Sequence, residues 1–340
     1  MKLTSLPKEL IELILVTTIT NEFYLKLLRH TCRKFRTIVI ELIIARRITI
    51  PKQNAPMNCE WIIQDGHLNL LKWACSLNYL GNIAICTMAS YYNHFDILIW
   101  AKQKGYLLTD DVCSNAALNG NLLMLRWAHD TNCPWNSTTC SNAALNGHIK
   151  ILKWARKNNC PWDRSTCINA AINGHLEVLK WARKNGCQWN WAVCTHAALN
   201  GHIEVLKWAH GNGCELTGSV SACAAQGGHF EILQWARKNK CPWNSSTCSH
   251  AASHGHLDIL KWARENGCEW DSDTCADAAS GGHLDILKWA RSQGCPWDSD
   301  TCSSAARNGH LEVLKWAHDN HCPCDDPTHI QIIQNMGSKN

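Results

Sequence analysis

In the stretch HLEVLKWARK (175–184), apolar side chains stand at Leu176, Val178, Leu179, Trp181 and Ala182, separated by Glu177, Lys180, Arg183 and Lys184. Wound at the helical period, the apolar set covers more than half the circumference. This predicts an amphipathic helix that touches more than one neighbour: a first helix of its own unit, and second helices on either side. A different pattern precedes such helices. In TCSSAAR (301–307) the residues are mostly small and follow Asp300, which predicts a short first helix with Asp300 as its cap. Asn308-Gly309 then reads as a tight turn, and a second helix is predicted from about His310 to Asp319. Gly186, and Asn159 at the equivalent place, suit left-handed caps at second-helix C-termini.

The pattern repeats at a fixed step. Trp73, Trp100, Trp127, Trp154, Trp181, Trp208, Trp235, Trp262, Trp289 and Trp316 are each 27 residues apart, without insertion or deletion. A constant period of this size signals stacked supersecondary units, none of which can bury its apolar face alone. The indoles are therefore expected to fill the gaps between units as structural residues. A second indole column (Trp135, Trp162, Trp189, Trp243, Trp270, Trp297) follows the second helices and is expected to pack under the connecting loops.

Cysteine and histidine keep the same step. One cysteine column runs from Cys59 to Cys302, broken at Ser221; a second runs from Cys133 to Cys322; a histidine column runs from His148 to His310, mostly as Gly-His. Three readings of the 21 cysteines stay open: buried thiols, disulfides and metal ligands. CPWNSTTC (133–140) lacks the close pairs favoured by zinc, and its second cysteine falls at an inward apolar position, so buried thiols are preferred and no metal or cofactor is expected. Seven equivalent histidines do not make one active site. Each is expected to bond locally at the start of its second helix. No G-x-x-x-x-G-K-[ST], G-x-S-x-G or H-E-x-x-H occurs, and an enzyme is not expected.

The phrase AARNGHLEVLKWA (305–317) resembles the ankyrin repeat, whose core reads A-A-x-x-G-H-x-x-x-V. The resemblance covers roughly 59–322. It implies an all-α, ankyrin-like α-solenoid of about ten helix-turn-helix repeats that binds protein. The units depart from the family in having 27 residues rather than about 33. Aligned on Ala305, Ala306, Gly309 and His310, Cys302 takes the place of the leucine in T-P-L-H, and Trp297 that of the valine after the second helix. The missing residues then come from the hairpin loop between units, which implies a shallower groove read by first helices and short loops.

LPKELIELIL (6–15) with YLKLLRHTCRKFRTIV (24–39) resembles an F-box. Leu6, Pro7, Glu9, Leu10, Ile14, Cys32, Arg33 and Phe35 fit its pattern, while Thr31 stands where valine is usual. The resemblance implies binding to the Skp-family adaptor of cullin–RING ubiquitin ligases. A terminal cap shielding the array is the alternative role for this segment. The short tryptophan-rich units also resemble those of amoeba-infecting giant DNA viruses, which implies a viral protein in host cytoplasm, with the nucleus left open.

The expected organisation is an F-box-like helical module (1–45), a linker (46–58), the array (59–322), and a C-terminal capping half-repeat and tail (323–340). The last is read from Ile330, Ile332 and Ile333, with His329 in the cysteine column. Composition adds little. The chain has 340 residues and a formal net charge of +5, too mild to indicate nucleic acid by itself. Lys153, Lys180, Lys207, Lys261, Lys288 and Lys315 read as a solvated ridge. No apolar run reaches membrane-spanning length, and Lys8, Glu9 and Glu12 interrupt the start, unlike a signal peptide. A cytoplasmic monomer without nucleic-acid or membrane partners is expected.

Binding is expected where the repeat breaks. CELTGSVS (214–221) puts Glu215-Leu216-Thr217 in place of Pro-Trp-Asx. Trp191 has no counterpart in other copies and is a hot-spot candidate, with local packing as the alternative. Arg164, His196, His250, Asp277 and Arg307 vary along the first helices and are candidates for the same target-binding surface. The expected function is a non-catalytic substrate receptor that holds a target protein and couples it to a ubiquitin ligase, or alternatively an interaction protein without that coupling.

Overall fold

The computed structural model describes residues 60–76, 84–324 and 326–327, apart from the side chains of Trp61, Leu70 and Trp73. The F-box-like segment, the linker at 46–58, Cys59, the Trp73 indole, and His329 with Ile330, Ile332 and Ile333 lie outside this set. The described elements are all helices, and the chain divides into two units, 1–109 and 110–340.

In the first unit the helices pair as α1 (Glu60–Gln64) with α2 (Leu68–Ser76) and α3 (Ile85–Tyr91) with α4 (Phe95–Gln103). The second unit continues the alternation with α5 (Asp110–Leu118), α6 (Leu122–Asp130), α7 (Ser137–Leu145), α8 (Ile149–Lys157), α9 (Arg164–Ile172), α10 (Leu176–Lys184), α11 (Ala192–Leu199) and α12 (Ile203–Gly211). It ends with α13 (Gly218–Gln226), α14 (Phe230–Lys238), α15 (Ser245–Ser253), α16 (Leu257–Glu265), α17 (Ser272–Ser280), α18 (Leu284–Ser292), α19 (Ser299–Arg307) and α20 (Leu311–Asp319). This is an all-α, ankyrin-like α-solenoid of helix-turn-helix repeats.

Most first helices start at an Asx residue, although α3 follows Ala84 and α13 follows Thr217 without a side-chain cap bond. Asn136, Asp163, Asn244 and Asp298 each accept a backbone N–H two residues on through the side-chain oxygen. The cap of α19 is thus Asp298 rather than Asp300. Asp298 has the extended backbone that lets its carboxylate fold back over the first turn, whereas Asp300 is already helical. Second helices end as the sequence predicts, with Gly186 at φ +85° and Asn159 at φ +62°.

From α5 onward, first helices of neighbouring repeats pack more closely than any other pair, α7 on α9 and α17 on α19 among them. Their facing side chains are small: Cys140, Ala143, Ala144, Cys167, Ala170 and Ala171 are all fully buried. Second helices add one β-branched residue and one leucine, as in Val178 and Leu179, and an alanine, as in Ala182. The expectation that second helices would pack on one another is therefore modified, because the small residues let the first-helix backbones approach instead.

The indoles also sit differently from expectation. Trp100 is buried, but Trp127, Trp154, Trp181, Trp208, Trp235, Trp262, Trp289 and Trp316 are only half-buried. Each second-column indole stands edge-on against the helix indole of the next unit, as in Trp162–Trp181 at 5.9 Å and Trp189–Trp208 at 5.6 Å between centroids. Arginines six residues earlier lie over the loop indoles, with Arg183 4.2 Å from the Trp189 centroid and Arg237 3.9 Å from Trp243. A ring this large does not fit between the close first helices, so it forms an outer ladder while thiol, alanine and aliphatic groups fill the interior.

Histidine bonds across units rather than locally. Its side chain caps nothing on its own helix, and Nε2 instead donates to the end of the preceding first helix, as in His229 to Leu199 at 3.0 Å and His256 to Gln226 at 3.1 Å.

Among the described residues the column cysteines are buried as free thiols with one exception, a disulfide between Cys302 and Cys324. Cys324 occupies the position that most other units give to the second-column tryptophan. In most other units thiols pair within a unit, Ser221 taking the place of one thiol opposite Cys241. A hydrogen bond to Cys187 and burial both raise the Cys167 thiol above its ordinary range, and Cys113 and Cys194 behave alike. Burial pushes Cys322 up to about 11.

Candidate functional site: a pocket at the break in the repeat

The position at which first helices begin is a column read down neighbouring units, Trp191 standing just ahead of α11: Ser137, Arg164, Trp191, Gly218, Ser245, Ser272, Ser299. An indole and a missing side chain therefore stand side by side, one unit apart. Trp191 is 48% exposed, the highest of any described tryptophan. A Cβ built on Gly218 would meet only the Pro242 carbonyl, at 3.8 Å, so the space is open. Between Trp191 and His250 lies a cavity of about 560 Å³, whose floor includes Ala222 and Cys223 and whose rim carries Ser219, Asn244 and Ser246.

A second column explains why this region is unfilled. Five residues into each first helix stand Asn142, Asn169, His196, Cys223, His250 and Asp277 in successive units. Asn142 and Asn169 donate from Nδ2 to Ser114 and Ser141 one unit back, at 3.2 and 3.1 Å, and stitch the first helices together. The chain gives up these amides at the break. His196 turns its Nδ1 onto its own helix at Ala192, 2.8 Å away. Cys223 offers only a thiol, pushed up by burial. The Nδ1 of His250 is buried with no hydrogen-bond partner. Asp277, half-buried and bonded to Ser249, is raised above the usual carboxylate range by burial, which the charge of nearby His250 opposes.

Of the residues singled out from the sequence, the structure brings Trp191 and His250 into one pocket, with Asp277 beside His250. Arg164 is exposed one unit before Trp191, and His196 lies on α11 with its ring nitrogen engaged. Glu215 and Leu216 are in the loop before α13 and do not line the cavity, and exposed Arg307 closes α19, three units beyond Gly218 on the same row. Sequence reasoning did not single out Gly218, Ser219, Cys223, Asn244 or Ser246. The signals available were the glycine in a column of larger residues and a cysteine outside both cysteine columns.

A smaller cavity of about 490 Å³ lies on the second-helix side between Lys261, Arg264, Trp270 and Trp289. There the Arg264 guanidinium already covers the Trp270 face at 4.0 Å. Among the described residues no cation covers Trp191.

A family model described as "Ankyrin repeats (many copies)" matches residues 167–210, a segment that contains Trp191 and His196. No curated protein sequence matches the chain significantly. Ankyrin repeats are a protein-interaction architecture, and all-helical arrays of this kind are typical of non-enzymatic scaffolds. No helix among the described residues is long and apolar enough to cross a membrane.

Proposed function

We propose that the chain is a non-catalytic receptor that holds a target protein along its row of first helices, with the pocket between Trp191 and His250 as the anchor. The observation that carries this reading is the exposed Trp191 indole beside the side-chain gap at Gly218. A large exposed aromatic ring next to an open, polar-rimmed cavity has the make-up of a binding hot spot. Arg164 on one flank and Asp277 on the other extend the face by one unit each way, and His196, Glu215, Leu216 and Arg307 are its outlying candidates. The anchor follows from the break in the repeat, where Trp191 and Gly218 stand in a column that is otherwise mostly serine.

The finer reading is that the target is delivered to a ubiquitin ligase. What supports it is the F-box-like sequence at Leu6, Pro7, Glu9, Leu10, Ile14, Cys32 and Phe35 in front of a binding array. The alternative, an interaction protein without ligase coupling, keeps the same target face and treats residues 1–45 as a cap. The resemblance of the short tryptophan-rich units to those of giant viruses points to a host-cell target.

Affinity capture tests both levels. The full chain is expected to recover a Skp-family adaptor together with a target. Leu6→Asp/Leu10→Asp should lose the adaptor and keep the target; Trp191→Ala/His250→Ala should do the reverse. Recovery of a target by the full chain with no adaptor present selects the uncoupled scaffold. A target retained in full by the Trp191→Ala/His250→Ala variant contradicts the anchor.

A further inference from the structure

We infer that the pocket between Trp191 and His250 takes an arginine side chain of the partner, carried on a basic segment that runs on over α17. This rests on the first-helix row being the docking face. Three features of the pocket select the guanidinium.

The first is an uncovered π-face. The chain itself caps the loop indoles with guanidinium groups, Arg156 on Trp162 at 4.4 Å and Arg291 on Trp297 at 4.1 Å. Trp191 has an exposed ring and no such cap among the described residues. Tryptophan is the best aromatic partner for a cation, and the planar guanidinium stacks where an ammonium cannot.

The second is a rim of acceptors. Ser219 and Ser246 offer hydroxyl oxygens. Asn244 Oδ1 accepts the Ser246 N–H at 3.2 Å and keeps a second lone pair. The buried, partnerless Nδ1 of His250 is an acceptor whenever the ring is neutral with its proton on Nε2. A guanidinium brings five donors in a fixed fork and can satisfy several of these at once. An apolar side chain would bury them unpaired.

The third is charge. No lysine or arginine lines the cavity. The next unit along the row adds the carboxylates Asp271, Asp273 and Asp277, with Asp277 beside His250. Neighbouring first helices are about 10 Å apart, roughly three residues of extended chain, so a second basic residue three positions after the arginine would meet these carboxylates.

The test uses the full chain and fluorescein-labelled peptides Gly-Ser-Gly-X-Gly-Gly-X-Gly-Ser, with X as Arg, Lys, Leu or Glu, read by fluorescence polarisation. The arginine peptide is expected to bind best, about fivefold tighter than the lysine peptide, as the loss of the planar fork implies. Trp191→Ala and Ser219→Lys should each abolish this preference, the second without touching the indole, and Asp277→Asn should weaken binding about threefold through lost charge. Thermal melts of the variants should match the parent, since all three positions are outside the fully buried set. Tighter binding of the leucine or glutamate peptide, an arginine peptide indifferent to Trp191→Ala, or no saturable binding at all overturns the inference. If target capture still depends on Trp191 under those results, the docking face stands and only the arginine assignment falls. If capture ignores Trp191, the docking reading falls with it.

Discussion

Nε2 of His202 lies 2.9 Å from the carbonyl oxygen of Ile172, thirty residues earlier, at the end of α9. The carbonyl can only accept, so the ring donates. The same imidazole lies over Gly174, where a Cβ would fall 2.6 Å from Nδ1 and where φ is +73°. Gly-His is thus one device split between two units: the glycine of one makes room for the ring of the next, and the ring satisfies a helix-end carbonyl that nothing in its own unit reaches.

Gly174→Ala should destabilise by about 2–4 kcal/mol, combining left-handed strain with the clash. His202→Ala should cost about 1–2 kcal/mol for the unpaired carbonyl. The double variant should cost less than the sum, because removing the ring relieves the clash. Urea midpoints of the four proteins check this.

Trp189 carries Arg183 on its face and meets Trp208 edge-on. Trp189→Ala should therefore lower stability by about 1.5–3 kcal/mol and Arg183→Ala by about 1 kcal/mol. Arg183 also donates to the Cys187 carbonyl at 2.8 Å, so Arg183→Lys should recover only part of the loss. Denaturant unfolding of the three variants is the measurement.

The paired interior thiols give the fold an alkaline limit. In each pair the first-helix thiol lies above the ordinary value of 9.0 and its partner below it, because the one donates the hydrogen bond that favours the other's thiolate, as in Cys167–Cys187, Cys194–Cys214 and Cys248–Cys268. As pH rises towards 9 the folded chain gives up the lowered proton of each pair before the unfolded chain does, so stability should rise. Above it the unfolded chain releases protons that the folded chain retains, so stability should fall steadily as pH rises from 9. The urea midpoint followed from pH 7 to 10.5 should rise towards pH 9 and then decline. Thiol-specific reagent at pH 7.5 should label the column cysteines only after denaturant is added.

Ser221 is the one interruption in the described part of the first cysteine column. Its hydroxyl donates to the Pro242 carbonyl at 3.0 Å and lies 3.4 Å from the Cys241 sulfur. Ser221→Cys loses the bond to Pro242 and should destabilise by about 1 kcal/mol, although it restores the repeat. Cys248→Ser in the next unit tests the reverse change and should cost about 1–3 kcal/mol if its hydroxyl finds no carbonyl.

The period and the amphipathic stripe made the helices and their ends legible, because a step of 27 residues puts equivalent residues in register without further information. Gly186 and Asn159 could be assigned as left-handed caps for the same reason. The division between interior and ladder could not be read. An indole at the edge of a broad stripe gives the same sequence pattern as one at its centre, and only the spacing of the first helices decides between them. The histidines failed for a related reason, since a bond that reaches thirty residues back leaves no local trace.

The site was half legible. Trp191 stood out as a ring without a counterpart, and His250 as a variable first-helix residue. Gly218 completes the pocket by lacking a side chain, which matters only once it is known to stand beside Trp191. Glu215 and Leu216 broke the repeat just as visibly, yet their loop does not line the cavity.

The most direct test of the docking face is photocrosslinking with a photoreactive phenylalanine at Ser219, on the rim of the pocket, and at Lys180, on the second-helix ridge. In cell lysate the Ser219 probe should give a discrete protein adduct that Trp191→Ala abolishes, and the Lys180 probe should give none of that adduct. The same adduct from Lys180, or its survival from Ser219 in the Trp191→Ala background, would place the target elsewhere and contradict the account.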